Sequence, residues 1–407
     1  MATKVTAKNI YKIFGDDTDP AFELLKNGRS KAEILAETSH TVGVNDASFD
    51  VAEGEIFVVM GLSGSGKSTL VRMINGLIAP TRGEILIDGT DVASCPAETL
   101  RQVRREKVAM VFQHFALFPH KTVVDNVAYG LKVKGMAVAE RREKALAALA
   151  QVGLDTYADS YPDELSGGMQ QRVGLARGLA AEPEILLMDE PFSALDPLIR
   201  RDMQEELLVL QRTLKKTIIF ITHDLNEALI LGDKIAIMKD GRFVQVGTAQ
   251  EIVGSPADDY VAAFTQDIDR SRVFSVDSIA MDPAPIELGS DTIGDALARM
   301  EDLGRDALFA TENGSVTGIA TYRALAAASR RNKNEDIRTV LRRDFETIAA
   351  DAELHALYEK STTGLPVGVV DAEGTLVGVV EPQAIFAQLV RGESEAAAAA
   401  DKRVTPA

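Results

Sequence analysis

With 407 residues, 46% of them hydrophobic and 26% charged, the chain is long enough for two folded domains and too apolar to be mostly disordered. Its formal charge of −17 repels a nucleic-acid backbone, so no nucleic-acid partner is expected. No apolar run reaches the roughly 18 residues of a membrane span and residues 1–20 lack a signal core; the expectation is a cytoplasmic chain, for which any membrane role must come through a partner. The single cysteine, Cys95, offers neither an internal disulfide nor a cysteine metal cluster.

Residues 1–14 alternate as a strand carrying Tyr11 and Phe14. An aromatic there either stacks on a purine or packs on the sheet edge, and the residues alone leave both open. Asp16 to Pro20 form a turn, and the spacing of Phe22, Leu24, Leu25, Ile34 and Leu35 predicts a helical insertion over 16–42. Val44 to Val51 alternates again.

The apolar segment Ile56 to Met60 then runs into Gly61, Leu62, Ser63, Gly64, Ser65, Gly66, Lys67, Ser68 and Thr69, followed by an amphipathic run. Strand, glycine loop and helix together make a phosphate cradle, because inward-facing N–H groups and a helix N-terminus favour anions. Lys67 is expected to reach β and γ phosphates, Ser68 to hold Mg²⁺ through its hydroxyl, and Thr69 to contact phosphate. Ile85 to Ile87 and the Asp88-Gly89 turn follow as a hairpin-like piece.

Val108 to Phe112 has the length and composition of a buried strand, with Gln113 at its exit. An amide there either ligates Mg²⁺ or its water or is a polar loop residue. Residues 114–160 are expected to be mostly helical, over Val123 to Lys134 and Glu140 to Val152, after the apolar loop Phe115 to His120. Its Phe115/Phe118 cluster is either core or a docking surface.

Ser166 is a good N-cap, yet Gly167 and Gly168 inside the first turn weaken a helix by about 1 kcal/mol each. A second phosphate contact would explain them. Ile185 to Met188 is a strand ending in Asp189, a Mg²⁺ carboxylate, and Glu190, placed as general base for water. A turn at Ser193 to Pro197 and a helix over 198–214 follow. Thr217 to Thr222 then delivers His223 towards a γ-phosphate, and a hairpin around Asp240-Gly241 closes the domain.

Taken together these motifs resemble the ABC transporter ATPases over residues 1 to about 265: the phosphate loop at 61–69, the loop glutamine Gln113, the LSGGM sequence at 165–169, the Asp189-Glu190 strand end, the Ser193 to Asp196 turn and the switch histidine His223. The resemblance implies an α/β P-loop NTPase fold with a helical subdomain, binding ATP and Mg²⁺. It also implies a head-to-tail dimer in which Ser166, Gly167 and Gly168 complete the opposite subunit's site, with Asp196 beside the nucleotide. It favours Phe14 for adenine stacking.

A narrower resemblance, to glycine betaine/proline betaine importer ATPases, rests on the 16–42 insertion and on the stretches 60–77, 110–120, 161–177 and 188–200. Pro191 departs from the alanine more usual there. This implies membrane permease subunits, a periplasmic or extracellular binding protein, a place on the cytoplasmic face of the membrane, and docking of the permease by Phe115/Phe118. The cargo would be a quaternary amine, with choline among the candidates, or alternatively another small solute such as an amino acid.

Beyond residue 270 a repeat with a sixty-residue offset pairs Asp291 with Asp351, Gly304 with Gly364, Phe309 with Val369, Gly314 with Gly374, and Leu325 with Ile385. Each copy is expected as helix, strand, glycine turn, strand, helix. Over 275–391 this resembles a smaller α+β tandem CBS domain, but Ala324 and Ala384 stand where nucleotide-binding copies have aspartate. A structural or dimerising role and a regulatory one both remain open. Residues 392–407 form an alanine-rich tail expected to fray.

Overall fold

A computed structural model describes residues 2–113, 116–332 and 335–384; Phe115, Ile385 and the 392–407 tail lie outside the described residues. The chain divides into two compact units, Met1–Thr265 and Gln266–Ala407.

The first unit opens with β1 (Thr3–Phe14), the helices α1 (Asp19–Lys26) and α2 (Lys31–Thr38), and β2 (Thr41–Ala52). The two helices bury Phe22, Leu25 and Ile34 against Ile13 and Val42, so the insertion has a small apolar core of its own on β1 and β2. Next come β3 (Ile56–Met60), α3 (Lys67–Ile74), the hairpin β4 (Arg82–Ile87) and β5 (Thr90–Asp91), α4 (Ala97–Glu106) and β6 (Val108–Phe112).

The helical stretch holds α5 (Val123–Val127), α6 (Tyr129–Val133), α7 (Val138–Gln151) and α8 (Gly167–Ala180). In place of a single helix over Val123 to Lys134, two short ones meet at Ala128. The fully buried Asn126 holds the preceding loop by donating to the carbonyls of Phe118 and Lys121, both at 3.1 Å. β7 (Ile185–Asp189), α9 (Pro197–Leu214), β8 (Thr217–Thr222), α10 (Leu225–Leu231), β9 (Lys234–Lys239), β10 (Arg242–Gly247), α11 (Ala249–Gly254) and α12 (Asp259–Thr265) complete the unit.

Two sheets result. One is antiparallel, ordered β2-β1-β4-β5; the other is ordered β10-β9-β3-β8-β7-β6, parallel except for β10. Apolar residues of both sheets and of α3 share one core that includes Phe49, Phe57, Leu70, Ile85 and Ile219. Each such side chain contributes about 1.5–3 kcal/mol by leaving water. β3, β7 and β8 are buried along their whole length, the pattern of parallel strands covered on both faces. β6 corrects the expectation of a buried strand: it is the sheet edge, half-buried from Val108 to Met110, and Phe112 is 38% exposed.

The second unit contains β11 (Ile286–Glu287), α13 (Ile293–Leu303), β12 (Ala307–Glu312), β13 (Ser315–Thr321), α14 (Tyr322–Arg331), β14 (Thr347–Ala349), α15 (Leu357–Lys360), β15 (Val367–Val370) and β16 (Leu376–Val380). They form two sheets of like topology, β11-β12-β13 and β14-β15-β16. Equivalent glycines share their backbone: φ is 63° and 68° at Gly304 and Gly364, and 81° and 83° at Gly314 and Gly374. Phe309 and Ile319 of one copy pack with Leu376 and Val379 of the other. The copies differ where α13 runs unbroken for 11 residues but its counterpart splits into short turns around α15. Ser361, Thr362 and Thr363 there are weak helix formers, and the Ser361 and Thr363 hydroxyls bond to the nearby backbone of Tyr358 and Leu365.

Candidate functional site

Strand register builds the site. Met60 pairs with Thr222, Ile221 with Asp189, and Asp189 with Phe112. Gly61, His223, Glu190 and Gln113 therefore leave four adjacent parallel strands within one residue of a common level, on the carboxyl edge where open α/β sheets bind ligands.

The loop 61–69 is held from outside by backbone. A Cβ at Gly61 would stand 2.2 Å from the carbonyl oxygen of Met238, and one at Gly66 would stand 2.4 Å from that of Gly43. At Gly64 the demand is conformational, with φ +79° and open space where a side chain would be. Gly241 N–H donates to Ser65 O at 2.8 Å, while the buried Ser65 Oγ has no hydrogen-bond partner. An unpaired hydroxyl in a cradle of N–H groups fits a phosphate oxygen. α3 starts on Gly66 with no side-chain cap, which leaves its first N–H groups for an anion.

Lys67 is 5% exposed and curls back over its own loop, donating to Gly61 O at 2.7 Å and Leu62 O at 3.1 Å. Burial pulls its pKa below the usual lysine value, against the carboxylates of Glu190 and Asp189. Ser68 Oγ donates to Asp189 Oδ1 at 3.0 Å. Burial pushes the Asp189 pKa up, with the Ser68 bond opposing it. A cationic ligand would reverse that shift.

Glu190 sits in the left-handed region at φ +48°, uncommon for a residue with a side chain and a form of strain found at working sites. Its N–H donates to Ile221 O at 3.0 Å, and its carbonyl accepts from Ser193 Oγ at 2.9 Å. These two bonds hold the carboxylate off the end of β7, where Oε2 lies 2.9 Å from His223 Nδ1 and Oε1 lies 3.9 Å from Lys67 Nζ. Among the described residues no group of three or more His, Cys, Asp or Glu could hold a metal. Ser68 and Asp189 offer two oxygens, which suits a Mg²⁺ ion that keeps water and takes phosphate oxygens for the rest. Gln113 stands exposed past the end of β6.

The two aromatics of β1 separate. Tyr11 packs edge-on to Phe22 of the insertion, with ring centroids 5.1 Å apart. Phe14 is 40% exposed, and Gly43 fits between it and α3: a Cβ there would stand 2.8 Å from the Phe14 ring and 3.3 Å from Thr69 Cγ2. Phe14 is thus the more exposed ring beside the loop, with Lys12 Nζ 5.1 Å from its centre.

Ser166 caps α8, accepting from Met169 N–H at 3.4 Å, and Ser166 and Gly167 are exposed. No hydrogen bond joins this turn to the 61–69 loop among the described residues. Gly168 has a reason inside the chain, since a Cβ would stand 2.6 Å from Ile199 Cγ2; packing of α9 accounts for that glycine without a ligand. Asp196 caps α9 by accepting from Ile199 N–H at 3.3 Å.

Two neighbours of the site escape a reading of the sequence. Lys31 of α2 donates to Gly43 O at 3.4 Å. Tyr260 of α12 lies beside the Leu62 backbone, and Lys239 of β9 places its Nζ 4.4 Å from the Tyr260 ring centre. The capping box at Ser30 and Glu33 marks α2 but not where Lys31 reaches, and nothing in the sequence flags Tyr260.

The ABC transporter family matches residues 44–193. The chain is 50% identical over 397 residues, 96% of its length, to the glycine betaine/proline betaine transport system ATP-binding protein ProV of Salmonella typhimurium, 98% of which is covered. It is 48% identical over 393 residues to the glycine betaine/carnitine transport ATP-binding protein GbuA of Listeria monocytogenes, covering 96% of this chain and 98% of that protein. Among solved structures, the dimeric post-hydrolysis state of the ATP-binding cassette MJ0796 bound to ADP and Pi aligns with a TM-score of 0.51 at 33% identity, over 60% of this chain and 98% of that one. The chain belongs to the ATP-binding proteins of ABC transporters, in the branch of the glycine betaine and proline betaine systems.

Proposed function

We propose that this chain is the ATP-hydrolysing subunit of an importer for quaternary amine osmoprotectants, glycine betaine and proline betaine first and choline as a further cargo. Near full-length identity to ATP-binding proteins named for these solutes supports the cargo class. The observation that carries the chemistry is that Gly61, His223, Glu190 and Gln113 leave their strands within one residue of a common level.

In this reading Phe14 stacks on adenine, and the N–H groups of Gly61 to Gly66 cradle the phosphates. Lys67 turns from its own carbonyls to the β and γ oxygens, and Thr69 contacts phosphate. Ser68 and Asp189 would hold Mg²⁺, with Gln113 at its water, and the bound ion would supply neutralisation of charge on the phosphate oxygens. Glu190 orients the attacking water and takes its proton, while His223 contacts the γ-phosphate and fixes the carboxylate. Ser166, Gly167 and Gly168 of a second copy, with Asp196 nearby, cap the nucleotide head to tail, so closure needs two chains.

No helix among the described residues is long and apolar enough to cross a membrane. In this reading the chain works through membrane permease subunits at the cytoplasmic face, with an external binding protein delivering cargo, as the names of its relatives as transport-system ATP-binding proteins support. The second unit is read as a tandem CBS pair that tunes this cycle. Uptake of labelled glycine betaine, choline and an amino acid, in a strain lacking this gene and complemented with it, tests the cargo. Restored betaine uptake is the expected result; restoration of amino-acid uptake alone would overturn it.

A further inference from the structure

Behind the Glu190 and His223 pair lies a cluster of charged and polar side chains that the reaction scheme leaves unused. Glu227 of α10 is 4% exposed. Its Oε2 accepts from Thr222 Oγ1 at 2.6 Å, and its Oε1 accepts from the buried Gln204 Nε2 at 3.1 Å. Thr222 Oγ1 in turn accepts from Asp224 N–H at 2.9 Å. The residues on both sides of His223 are thereby held to one carboxylate.

Arg200 of α9 completes the cluster. Its Nη1 donates to Asp224 Oδ2 at 3.4 Å and its Nη2 to Leu195 O at 3.2 Å, while its Nε lies 3.9 Å from Glu227 Oε1. Leu195 belongs to the Ser193–Asp196 turn, and Ser193 of that turn holds the Glu190 carbonyl at 2.9 Å. One guanidinium therefore ties the turn that fixes Glu190 to the segment that carries His223.

As a source of stability this arrangement is poor, because desolvating a carboxylate and a guanidinium costs about as much as their attraction returns, and an apolar pair of similar volume is often as good. As a positioning device it is well suited. Arginine's planar fork donates in two fixed directions at once, which a lysine cannot do. Burial also raises the Glu227 pKa, with the Thr222 bond opposing it.

We infer that Arg200 and Glu227 are positioning residues for hydrolysis, setting the register between the Glu190 carboxylate and the His223 ring through Leu195, Thr222 and Asp224. The inference rests on the roles proposed above for Glu190 and His223. In the full-length chain, Arg200→Gln and Glu227→Gln are expected to lower kcat about ten- to a hundredfold, the scale of a misplacement near 1 Å, with KM for ATP changed less than about twofold. Arg200→Lys, which keeps the charge and protects the fold, is expected to lose most of the same activity. In a His223→Ala background Arg200→Gln should cost nothing further.

A second readout does not depend on activity. The imidazole signal of His223, identified by its loss in His223→Ala, should move in both Arg200 variants and in Glu227→Gln. Native kcat in Arg200→Lys, a loss carried by KM, losses that multiply in the His223→Ala background, or an unmoved imidazole signal would each overturn the inference. Full activity of His223→Ala alone would instead remove the proposed role of His223, leaving the imidazole signal to decide the coupling.

Discussion

His223 Nδ1 lies 2.9 Å from Glu190 Oε2, across the seam between β7 and β8. With Glu190 as the base for water, Glu190→Gln is expected to lower kcat by about 10²–10⁴-fold, the range of general base catalysis, and to leave ATP binding intact. His223→Ala acts on the same carboxylate, so the double variant should be little worse than Glu190→Gln alone. Steady-state hydrolysis and equilibrium binding of a fluorescent ATP analogue, measured on all three chains, check this.

Asp189 gives a pH prediction of defined sign. Its pKa is raised by burial, so over the window above the usual carboxylate value the folded chain holds a proton that the unfolded chain has released. Without ligand, stability therefore falls as pH rises through that window, and the ionised carboxylate is a burden at neutral pH. Asp189→Asn should raise the denaturation midpoint of the ligand-free chain at pH 7 and flatten its pH dependence. It should also lower Mg²⁺-dependent hydrolysis by about a hundredfold or more. Urea unfolding between pH 4 and 8 beside ATPase assays separates the two effects.

Phe14 is 40% exposed, so truncating it removes little from the core. Stacking on a base is worth about 1–3 kcal/mol, and Phe14→Ala is expected to raise KM for ATP by roughly ten- to a hundredfold with kcat nearly unchanged. Phe14→Trp should restore it. Tyr11→Ala, which strips a ring from the insertion core, should instead lower the melting temperature and leave KM alone.

The second unit carries exposed ion pairs such as Arg338 with Glu312 at 2.8 Å and Lys360 with Glu346 at 3.1 Å. Such pairs weaken as added salt shortens the screening length below about 10 Å. Truncation at about residue 268 is expected to change the salt dependence of transport in reconstituted vesicles. An unchanged activation curve would separate this unit from osmotic control.

Much of the site is legible in the sequence because each motif is local. The glycines of 61–66 with the lysine after them, and the carboxylate pair ending the apolar run 185–188, are each confined to a few consecutive residues, where backbone geometry alone sets their placement. Tertiary order is not legible in this way. Val108 to Phe112 has the composition of a buried strand, but only the order of strands in the sheet makes it an edge. β11 and β14 span two and three residues, too short to show an alternating pattern. Gly168 reads as room for a ligand, whereas Ile199, thirty-one residues on, occupies that space. The Arg200 and Glu227 cluster escapes for the same reason, since its members come from two helices, the end of β8 and the turn before α9.

The measurement that bears most directly on the account mixes two inactive chains. Lys67→Ala removes the lysine proposed to bind phosphate and Ser166→Arg blocks the turn proposed to cap the partner's nucleotide, so each alone should be inactive with the permease although folded by thermal melt. In a head-to-tail pair of one of each, both lesions fall in the same site and the other site is intact. Equal mixing should then recover about a quarter of native ATPase activity, since half of the pairs are mixed and each has one of two sites. If the mixture stays as inactive as its components, each chain builds its site alone and the account is wrong.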